Sequence, residues 1–182
     1  MTPLSQNSKF HILFVCSGNS CRSPLAEGLL RMKIPSRLQD EVVIKSAGTL
    51  GIEGSPAARY SVQIVQEMGG DISGHRSQGV SEELMAEADL ILAMAAEHVE
   101  YLQGEFPQYR ENIFLLKRFA RAANETGDHD DPEGDDIFDP IGSSQETYRV
   151  CAEMIDAELE RVMPTLINFI QERRRQVRAN EA

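Results

Sequence analysis

The chain has 182 residues, of which 41% are hydrophobic and 26% are charged, so it fits one ordinary globular domain with a sizeable core. Its 18 basic and 29 acidic residues give a formal net charge of −11, which argues against nucleic acid or an anionic membrane as a partner. Three cysteines are too few to suggest a disulfide framework, and neither a secretion signal in residues 1–10 nor a bilayer-spanning run is recognisable. We therefore expect a cytoplasmic protein.

The first predicted element is an apolar strand beginning at His11, which leads into a tight loop from Cys16 to Arg22. A helix is predicted to follow, with the Ser23 hydroxyl as its cap and Pro24 at its first position, where a missing N–H costs nothing. The loop consists of small residues and one glycine, so successive backbone N–H groups can converge on one point. The spacing therefore predicts an anion-binding nest at a helix N-terminus.

The two ends of this loop carry the reactive groups. Helix N-termini, converging amides and a nearby cation lower the pKa of a thiol to about 3.5–7.5, so we expect Cys16 to be a thiolate near neutral pH. Arg22 supplies a planar, permanently charged fork that binds two phosphoryl oxygens at once. This arrangement suits nucleophilic phosphoryl transfer through a phosphocysteine. Two other interpretations stay open: a nucleotide-binding loop, although its glycine signatures are missing, and inert buried thiols at Cys16 and Cys21.

Further along the chain, apolar strands alternate with helical patterns. Because these strands are almost continuously apolar, both faces of the sheet should be covered. The pattern predicts an α/β fold: a single-domain, doubly wound, four-stranded parallel sheet with helices on both faces. Its ligand should lie at the carboxyl ends of the strands, where Cys16 follows the first strand. The later strands are predicted at residues 41–45, 89–94 and 112–116. Helices are predicted at residues 24–33, 56–68 and 97–103, and residues 81–84 offer a further helix start.

A second chemical motif follows an acidic stretch without periodicity. Residues 127–136 are rich in Asp, Glu and Gly, which is typical of a solvated loop, and they do not match the spacing of an EF-hand. Asp139, followed by Pro140, is the candidate general acid that protonates the leaving group and later activates water. Asp136 is the local alternative for this role. We expect no metal and no cofactor.

A long helix is predicted from about residue 144 to residue 175, with a core stripe at three- and four-residue steps. Pro164 should kink or interrupt this helix. Cys151 falls on the apolar stripe and is expected to be inert. Residues 171–182 form a charged C-terminal tail, whose arginines we interpret as a solvated helix end.

The loop and the late Asp-Pro pair together resemble a known signature. Residues 15–27, Val-Cys-Ser-Gly-Asn-Ser-Cys-Arg-Ser-Pro-Leu-Ala-Glu, are similar to the phosphate loop of the low-molecular-weight protein tyrosine phosphatases. This family includes bacterial protein-arginine phosphatases and is related to thioredoxin-coupled arsenate reductases. The resemblance implies a phosphatase domain over residues 11–170, preceded by an N-terminal extension of residues 1–10. It implies a hydrolase that dephosphorylates a protein or peptide through a phosphocysteine, and that holds phosphate or a similar oxyanion in its site.

The resemblance also implies a role for individual residues. Cys16, Arg22 and Asp139 match the catalytic residues of the family. A support network would form around the loop, with Ser46 orienting Asn19 by a hydrogen bond and with Ser23 and His75 joining it. The phosphate-binding residues implied by the match are Ser17, Gly18, Asn19, Ser20, Cys21 and Ser23.

Two positions bear on the choice of substrate. Tyrosine-specific members carry aromatic residues directly after Asp-Pro, whereas this chain has Ile141 there. The arginine phosphatases carry a small hydroxyl residue at the position of Ser20, where tyrosine-specific members have a branched apolar one. The resemblance therefore favours phosphoarginine slightly over phosphotyrosine. Arsenate reduction is the alternative from another reaction class, but the relay cysteines of such reductases would fall near residues 80–90, where this chain has none.

Overall fold

Four parallel strands form the sheet of the computed structural model, which describes residues 8–121 and 134–180. The strand order is β2-β1-β3-β4, so the four-stranded parallel α/β sheet predicted from the sequence is confirmed. Most of the acidic stretch at residues 127–136 and of the predicted N-terminal extension lies outside the described residues, as do the last two residues of the charged tail. The strands are β1 (Phe10–Cys16), β2 (Val42–Gly48), β3 (Leu90–Ala93) and β4 (Ile113–Leu115).

Helices connect and follow the strands, mostly within a few residues of the predicted bounds. Two short 3-10 turns, at Ser36–Glu41 and Pro107–Asn112, were not predicted, since their sequences show no apolar periodicity. The α-helices are α1 (Arg22–Lys33), α2 (Arg59–Glu67), α3 (Glu82–Glu87), α4 (Ala96–Glu105) and α5 (Gln145–Asn180).

The central strand β1 is buried on both of its faces. Side chains alternate along a strand, so Ile12 and Phe14 enter one core and Leu13 and Val15 enter the other. The first core contains residues of α1, α2 and α5, and the second contains residues of α3 and α4. Helices thus cover both faces of the sheet, which explains why the strand sequences are almost continuously apolar.

The helix after the first loop begins earlier than the sequence indicated. It starts at Arg22, so Pro24 is its third residue, and its N-cap is Cys21 without a side-chain capping bond. Ser23 therefore does not cap the helix, contrary to prediction. Its hydroxyl is buried against the loop, because the end of the loop is already wound into the first helical turn.

The last helix also differs from its prediction. It continues through Pro164 to Asn180, because buried apolar residues on both sides of the proline keep the helix packed. The interpretation of its arginines as a solvated end is wrong for Arg173, which is buried and paired with Asp89. Asp89 also accepts a hydrogen bond from the backbone N–H of His11, at the amino end of β1.

The strand order determines where a ligand can bind. From β1 the chain crosses to β2 on one side of the sheet and then to β3 on the other, so the crevice lies at the carboxyl ends of β1 and β3. Cys16 ends β1 at this edge. In the part of the chain that the structure describes, no helix combines the length and apolarity needed to cross a bilayer.

Candidate active site

The sulfur of Cys16 lies at the floor of the loop formed by residues 16–22, which we term the phosphate loop. The residue is 2% exposed, and its Sγ lies 3.0 Å from the hydroxyl oxygen of Ser23. That oxygen accepts a hydrogen bond of 2.9 Å from the Asn19 side-chain amide, and the Ser23 hydroxyl hydrogen has two acceptors in reach, the sulfur at 3.0 Å and the Ala47 carbonyl oxygen at 3.4 Å.

Asn19 holds the middle of the phosphate loop through every polar group it has, apart from its backbone N–H. Its Nδ2 donates to Ser23 and to the Ser46 hydroxyl, and its Oδ1 accepts from the backbone N–H of Gln78, all at 2.9 Å. Its carbonyl oxygen accepts from His75 Nε2 at 2.8 Å. Its backbone is left-handed, with φ of 51°, a conformation that asparagine tolerates better than most residues.

Two members of this network were missed in the sequence. The Ser46 hydroxyl donates to the buried carboxylate of Glu27, and Gln78 also donates its side-chain amide to the Ser46 carbonyl. Glu27 stands at the end of the recognised signature, but on a helix with an apolar pattern it was not distinguishable from a surface residue. Gln78 carries no local signal, because its role depends on a contact 59 residues away in the chain.

The end of β2 approaches the phosphate loop so closely that only glycine fits there. A Cβ atom on Gly48 would lie 2.6 Å from the Ser17 carbonyl oxygen and 2.9 Å from the Asn19 nitrogen. The backbone N–H groups of Thr49 and Leu50 donate to the Cys16 and Ser17 carbonyls, each at 3.0 Å. The backbone of residues 48–50 therefore fixes the start of the loop.

Arg22 connects the phosphate loop to the late Asp-Pro motif. Its guanidinium, 3% exposed, donates to the Ile137 carbonyl and to the Ser17 hydroxyl, each at 3.1 Å. It also donates to Asp139 Oδ2 at 2.7 Å, where the carboxylate side chain is 38% exposed. The Arg22 Nε is buried and has no hydrogen-bond partner among the described residues. An oxyanion in the loop is a suitable acceptor for such a donor.

Long-range contacts hold residues 134–139, which we term the Asp139 segment. Lys117 Nζ, on a residue that is 7% exposed, donates to the carbonyls of Gly134 and Asp136 at 2.8 and 3.3 Å. Asp136 Oδ1 accepts at 2.8 Å from the backbone N–H of Ala96, the first residue of α4. The Asp136 carboxylate is thus engaged at a helix N-terminus, whereas the Asp139 carboxylate contacts Arg22.

His98 lies beside the phosphate loop and was also missed in the sequence. It is 1% exposed on α4, and its Nε2 lies 2.9 Å from the Ser17 hydroxyl oxygen. Burial, assisted by the nearby Arg22 charge, lowers its pKa from 6.5 to about 4. The ring is therefore neutral at physiological pH. A histidine within a helical pattern gave no indication of this position.

The remaining cysteines are buried. Cys21 Sγ lies 3.2 Å from the hydroxyl of Tyr148, and burial raises the pKa of its thiol. Burial raises the pKa of the Cys151 thiol to about 12, which agrees with an inert residue of the core stripe. No disulfide links the three cysteines.

The positions named for the substrate lie at the rim of the phosphate loop. The Ser20 hydroxyl is within 4 Å of the place where a Gly18 Cβ would be, and so is the side chain of Ile52. Ile141 is 65% exposed and follows the Asp139 segment. Within the described residues, no cluster of His, Cys, Asp or Glu side chains is arranged to hold a metal ion.

Three chemical groups meet in one crevice: the thiol of Cys16 beside a hydroxyl, the guanidinium of Arg22 with one N–H that no described residue accepts, and the carboxylate of Asp139 in contact with that guanidinium. Known proteins share this sequence and fold. The family described as "Low molecular weight phosphotyrosine protein phosphatase" matches residues 11–176. The protein-arginine-phosphatase of Bacillus subtilis (strain 168) is 34% identical over 164 residues, which is 90% of this chain and 99% of the relative.

Two solved structures are similar to this chain in both fold and sequence. A low molecular weight protein tyrosine phosphatase from T. tengcongensis superposes with a TM-score of 0.75 at 37% identity, covering 86% of this chain and 99% of that one. A mutant YwlE arginine phosphatase with a phosphorylated active-site serine superposes with a TM-score of 0.72 at 29% identity, covering 86% and 95%. The chain belongs to the low molecular weight phosphotyrosine protein phosphatase family and is a cysteine-based protein phosphatase.

Proposed function

We propose that this chain hydrolyses phosphorylated protein side chains through a phosphocysteine on Cys16, with phosphoarginine preferred over phosphotyrosine. The observation that carries the proposal is the 2.7 Å contact between Arg22 and Asp139. It brings the candidate general acid to the guanidinium that ends the phosphate loop, while Cys16 lies at the other end of the same loop. Nucleophile, anion-binding group and acid therefore share one crevice.

The reaction proceeds in two steps. In the first, the thiolate of Cys16 attacks phosphorus, the S–P bond forms, and the P–N or P–O bond to the leaving side chain breaks. Protonated Asp139 gives its proton to the departing nitrogen or oxygen. In the second, Asp139 takes a proton from water, which attacks the phosphocysteine and releases inorganic phosphate and the thiolate. Arg22 and the loop amides bind the phosphoryl oxygens throughout both steps.

A covalent phosphoenzyme is supported by the mutant arginine phosphatase described above. In that relative, a serine in the active site is phosphorylated. The O–P bond of a phosphoserine is hydrolysed more slowly than the S–P bond of a phosphocysteine. Trapping of phosphate on a serine is therefore consistent with a phosphocysteine in an unmutated enzyme. We extend this reasoning to Cys16 because it occupies the start of the phosphate loop.

Residues at the rim support the preference for phosphoarginine. The side chain that follows Asp-Pro is the exposed, aliphatic Ile141, which offers no aromatic surface to a phenyl ring. Ser20 is small, and its hydroxyl can accept a hydrogen bond from an N–H of a guanidinium. A phenyl ring has no such donor. Phosphotyrosine is the second candidate substrate, because the proteins similar to this chain include tyrosine phosphatases in addition to arginine phosphatases.

The test is a turnover panel of three peptides with one sequence, carrying phosphoarginine, phosphotyrosine or phosphoserine, and with the Cys16→Ser protein as the blank. We expect kcat/KM to be highest for phosphoarginine and undetectable for every peptide in the blank. The Ser20→Ile variant should shift the ratio of kcat/KM toward phosphotyrosine. Ser20→Thr is the matched control, since it keeps the hydroxyl group and should keep the ratio.

Each part of the proposal can fail separately. A phosphotyrosine kcat/KM that exceeds the phosphoarginine value in the unmutated protein contradicts the substrate preference and leaves the mechanism intact. Full turnover by Cys16→Ser contradicts the mechanism. Quenching a single turnover with acid and finding no phosphate on the protein, while product forms, contradicts the covalent intermediate.

A further inference from the structure

We propose that His98 is a positioning residue that directs the hydroxyl hydrogen of Ser17 toward the bound oxyanion. This inference rests on the proposed function, because it takes the phosphate loop as the binding site of the phosphoryl group. Nothing in the proposed reaction uses His98. Yet its imidazole is almost completely buried and lies 2.9 Å from a hydroxyl of the phosphate loop.

The hydrogen bonds around Ser17 fix which groups donate. The Arg22 guanidinium has only donors, so the Ser17 oxygen accepts its hydrogen bond of 3.1 Å. Toward His98, the Ser17 hydroxyl could either donate to a bare Nε2 or accept from a protonated Nε2. These two arrangements differ in where the hydroxyl hydrogen points, and therefore in whether it is available to a ligand.

The surroundings of His98 Nδ1 decide which of these two hydrogen-bond arrangements is present. His98 Nδ1 is buried and has no hydrogen-bond partner among the described residues. Its environment keeps the ring neutral, so the imidazole carries one N–H. Placing that hydrogen on Nδ1 would bury a donor without an acceptor, which is rarer and more costly than an under-used acceptor. The hydrogen therefore resides on Nε2, where the Ser17 oxygen at 2.9 Å is the nearer acceptor and the exposed Glu97 carboxylate lies 3.5 Å away.

The Ser17 oxygen then accepts from two donors, which occupy both of its lone pairs. Its own hydrogen points away from His98 and Arg22, both of which are buried, whereas Ser17 is half-buried. With both neighbours acting as donors, this hydrogen is free to be donated to an oxyanion in the loop. An extra hydrogen bond to an anion strengthens binding of the phosphoryl oxygens in the ground state and the transition state.

The experiment is a double-mutant cycle on the full chain with His98→Met, Ser17→Ala and the combination. Two quantities are measured: kcat/KM with an aryl phosphate, and the dissociation constant of inorganic phosphate by calorimetry. We expect each single variant to lose about 10-fold in both quantities. The double variant should lose no more than either single variant, because His98 acts through Ser17.

His98→Gln is the conservative variant, since its amide can donate from a position close to that of Nε2. It should stay within about 3-fold of the unmutated protein, whereas a merely space-filling role would treat Gln and Met alike. The inference is overturned if Gln and Met lose equally, or if the two single losses multiply in the double variant. It is also overturned if Ser17→Ala, checked for folding by its melting temperature, keeps the original affinity for phosphate.

The design separates this inference from the proposed function. If the unmutated protein turns over no phosphorylated substrate, the proposed function fails, and the calorimetric cycle with inorganic phosphate still decides the role of His98. If His98→Met does not fold, the Ser17→Ala and His98→Gln proteins alone give the decision, because the first must lose affinity and the second must keep it.

Discussion

The two halves of the candidate site are held in different ways. The phosphate loop is fixed by a dense set of hydrogen bonds centred on Asn19, whose partners come from α1, β2 and residues 75–78. The Asp139 segment has no such centre and is held by contacts from several separate elements, namely Lys117, Arg118, the N-terminus of α4, the carbonyl of Met94 and Arg22. Asn19, at the centre of the loop, is fully buried, whereas the Asp139 side chain is 38% exposed.

This difference indicates a division of labour. A loop that must present several amides to one oxyanion gains from rigidity, because misdirected dipoles lose most of their stabilising effect. A carboxyl group that first gives and then takes a proton must alternate between protonation states. Variants in the two regions should therefore separate binding of phosphate from protonation of the leaving group.

The largest effect is expected at Asp139. Asp139→Asn removes the proposed general acid and should lower kcat about 100-fold or more for a phosphopeptide with a basic leaving group. The loss should be smaller for para-nitrophenyl phosphate, whose leaving group needs little protonation. Asp136→Asn is the matched control and should retain most of kcat, because its carboxylate faces the Ala96 N–H. A larger loss of kcat in Asp136→Asn than in Asp139→Asn would mean that Asp136, and not Asp139, is the general acid.

The next effect tests the rigidity of the phosphate loop. Gly48→Ala places a Cβ 2.6 Å from the Ser17 carbonyl oxygen, so the loop backbone must shift. We expect the dissociation constant of inorganic phosphate to rise about 10-fold or more, and the free energy of unfolding to fall by about 1–3 kcal/mol. Gly104→Ala on α4 is the matched control, since no atom lies within 4 Å of its added Cβ. Unchanged phosphate binding in Gly48→Ala would show that the loop tolerates displacement.

A smaller effect is expected from the attachment of the Asp139 segment. Lys117→Met removes the donor to the Gly134 and Asp136 carbonyls while keeping a chain of similar length. We expect kcat for a phosphopeptide to fall several-fold to 10-fold, with the phosphate dissociation constant within about 2-fold of the unmutated protein. Steady-state kinetics and calorimetry measure the two quantities. Equal losses in both would mean that the two regions are not independent.

The sequence predicted the phosphate loop far better than the Asp139 segment, for a physical reason. The roles proposed for Cys16 and Arg22 depend on neighbours within a few residues, so strand, loop and helix patterns suffice to indicate an anion nest. The contacts of Lys117, Gln78 and His98 join residues distant in the chain, and no local pattern marks them. The parallel sheet was predictable for the same reason as the loop, since each buried strand reads as an apolar run.

The boundary errors have a similar origin. The capping role assigned to Ser23 rested on local preference, but the tertiary network takes its hydroxyl for Asn19 and the Cys16 sulfur. Helix α5 continues past Pro164 because the core around it outweighs the lost hydrogen bond. In both places, long-range packing overrides a correct statement about local preference.

The pH dependence of stability should reflect His98, which contacts the phosphate loop from α4. In the folded protein the pKa of His98 is lowered from 6.5 to about 4, chiefly by burial and also by Arg22, against the opposing charges of Asp136 and Asp139. Between these two pH values the unfolded chain binds more protons than the folded protein. The free energy of unfolding should therefore decrease as the pH falls from about 6.5 to about 4, and this contribution is fully present above that window.

Chemical denaturation of the unmutated protein and of His98→Gln at pH 7.5 and pH 5 measures this contribution. Because glutamine does not titrate, the variant should lose less stability between the two pH values than the unmutated protein does. Protonated His98 would also repel the neighbouring Arg22, so the contact between α4 and the phosphate loop should weaken over the same pH range. Identical pH dependence in the two proteins would mean that His98 is no more costly to protonate in the folded state than in the unfolded chain.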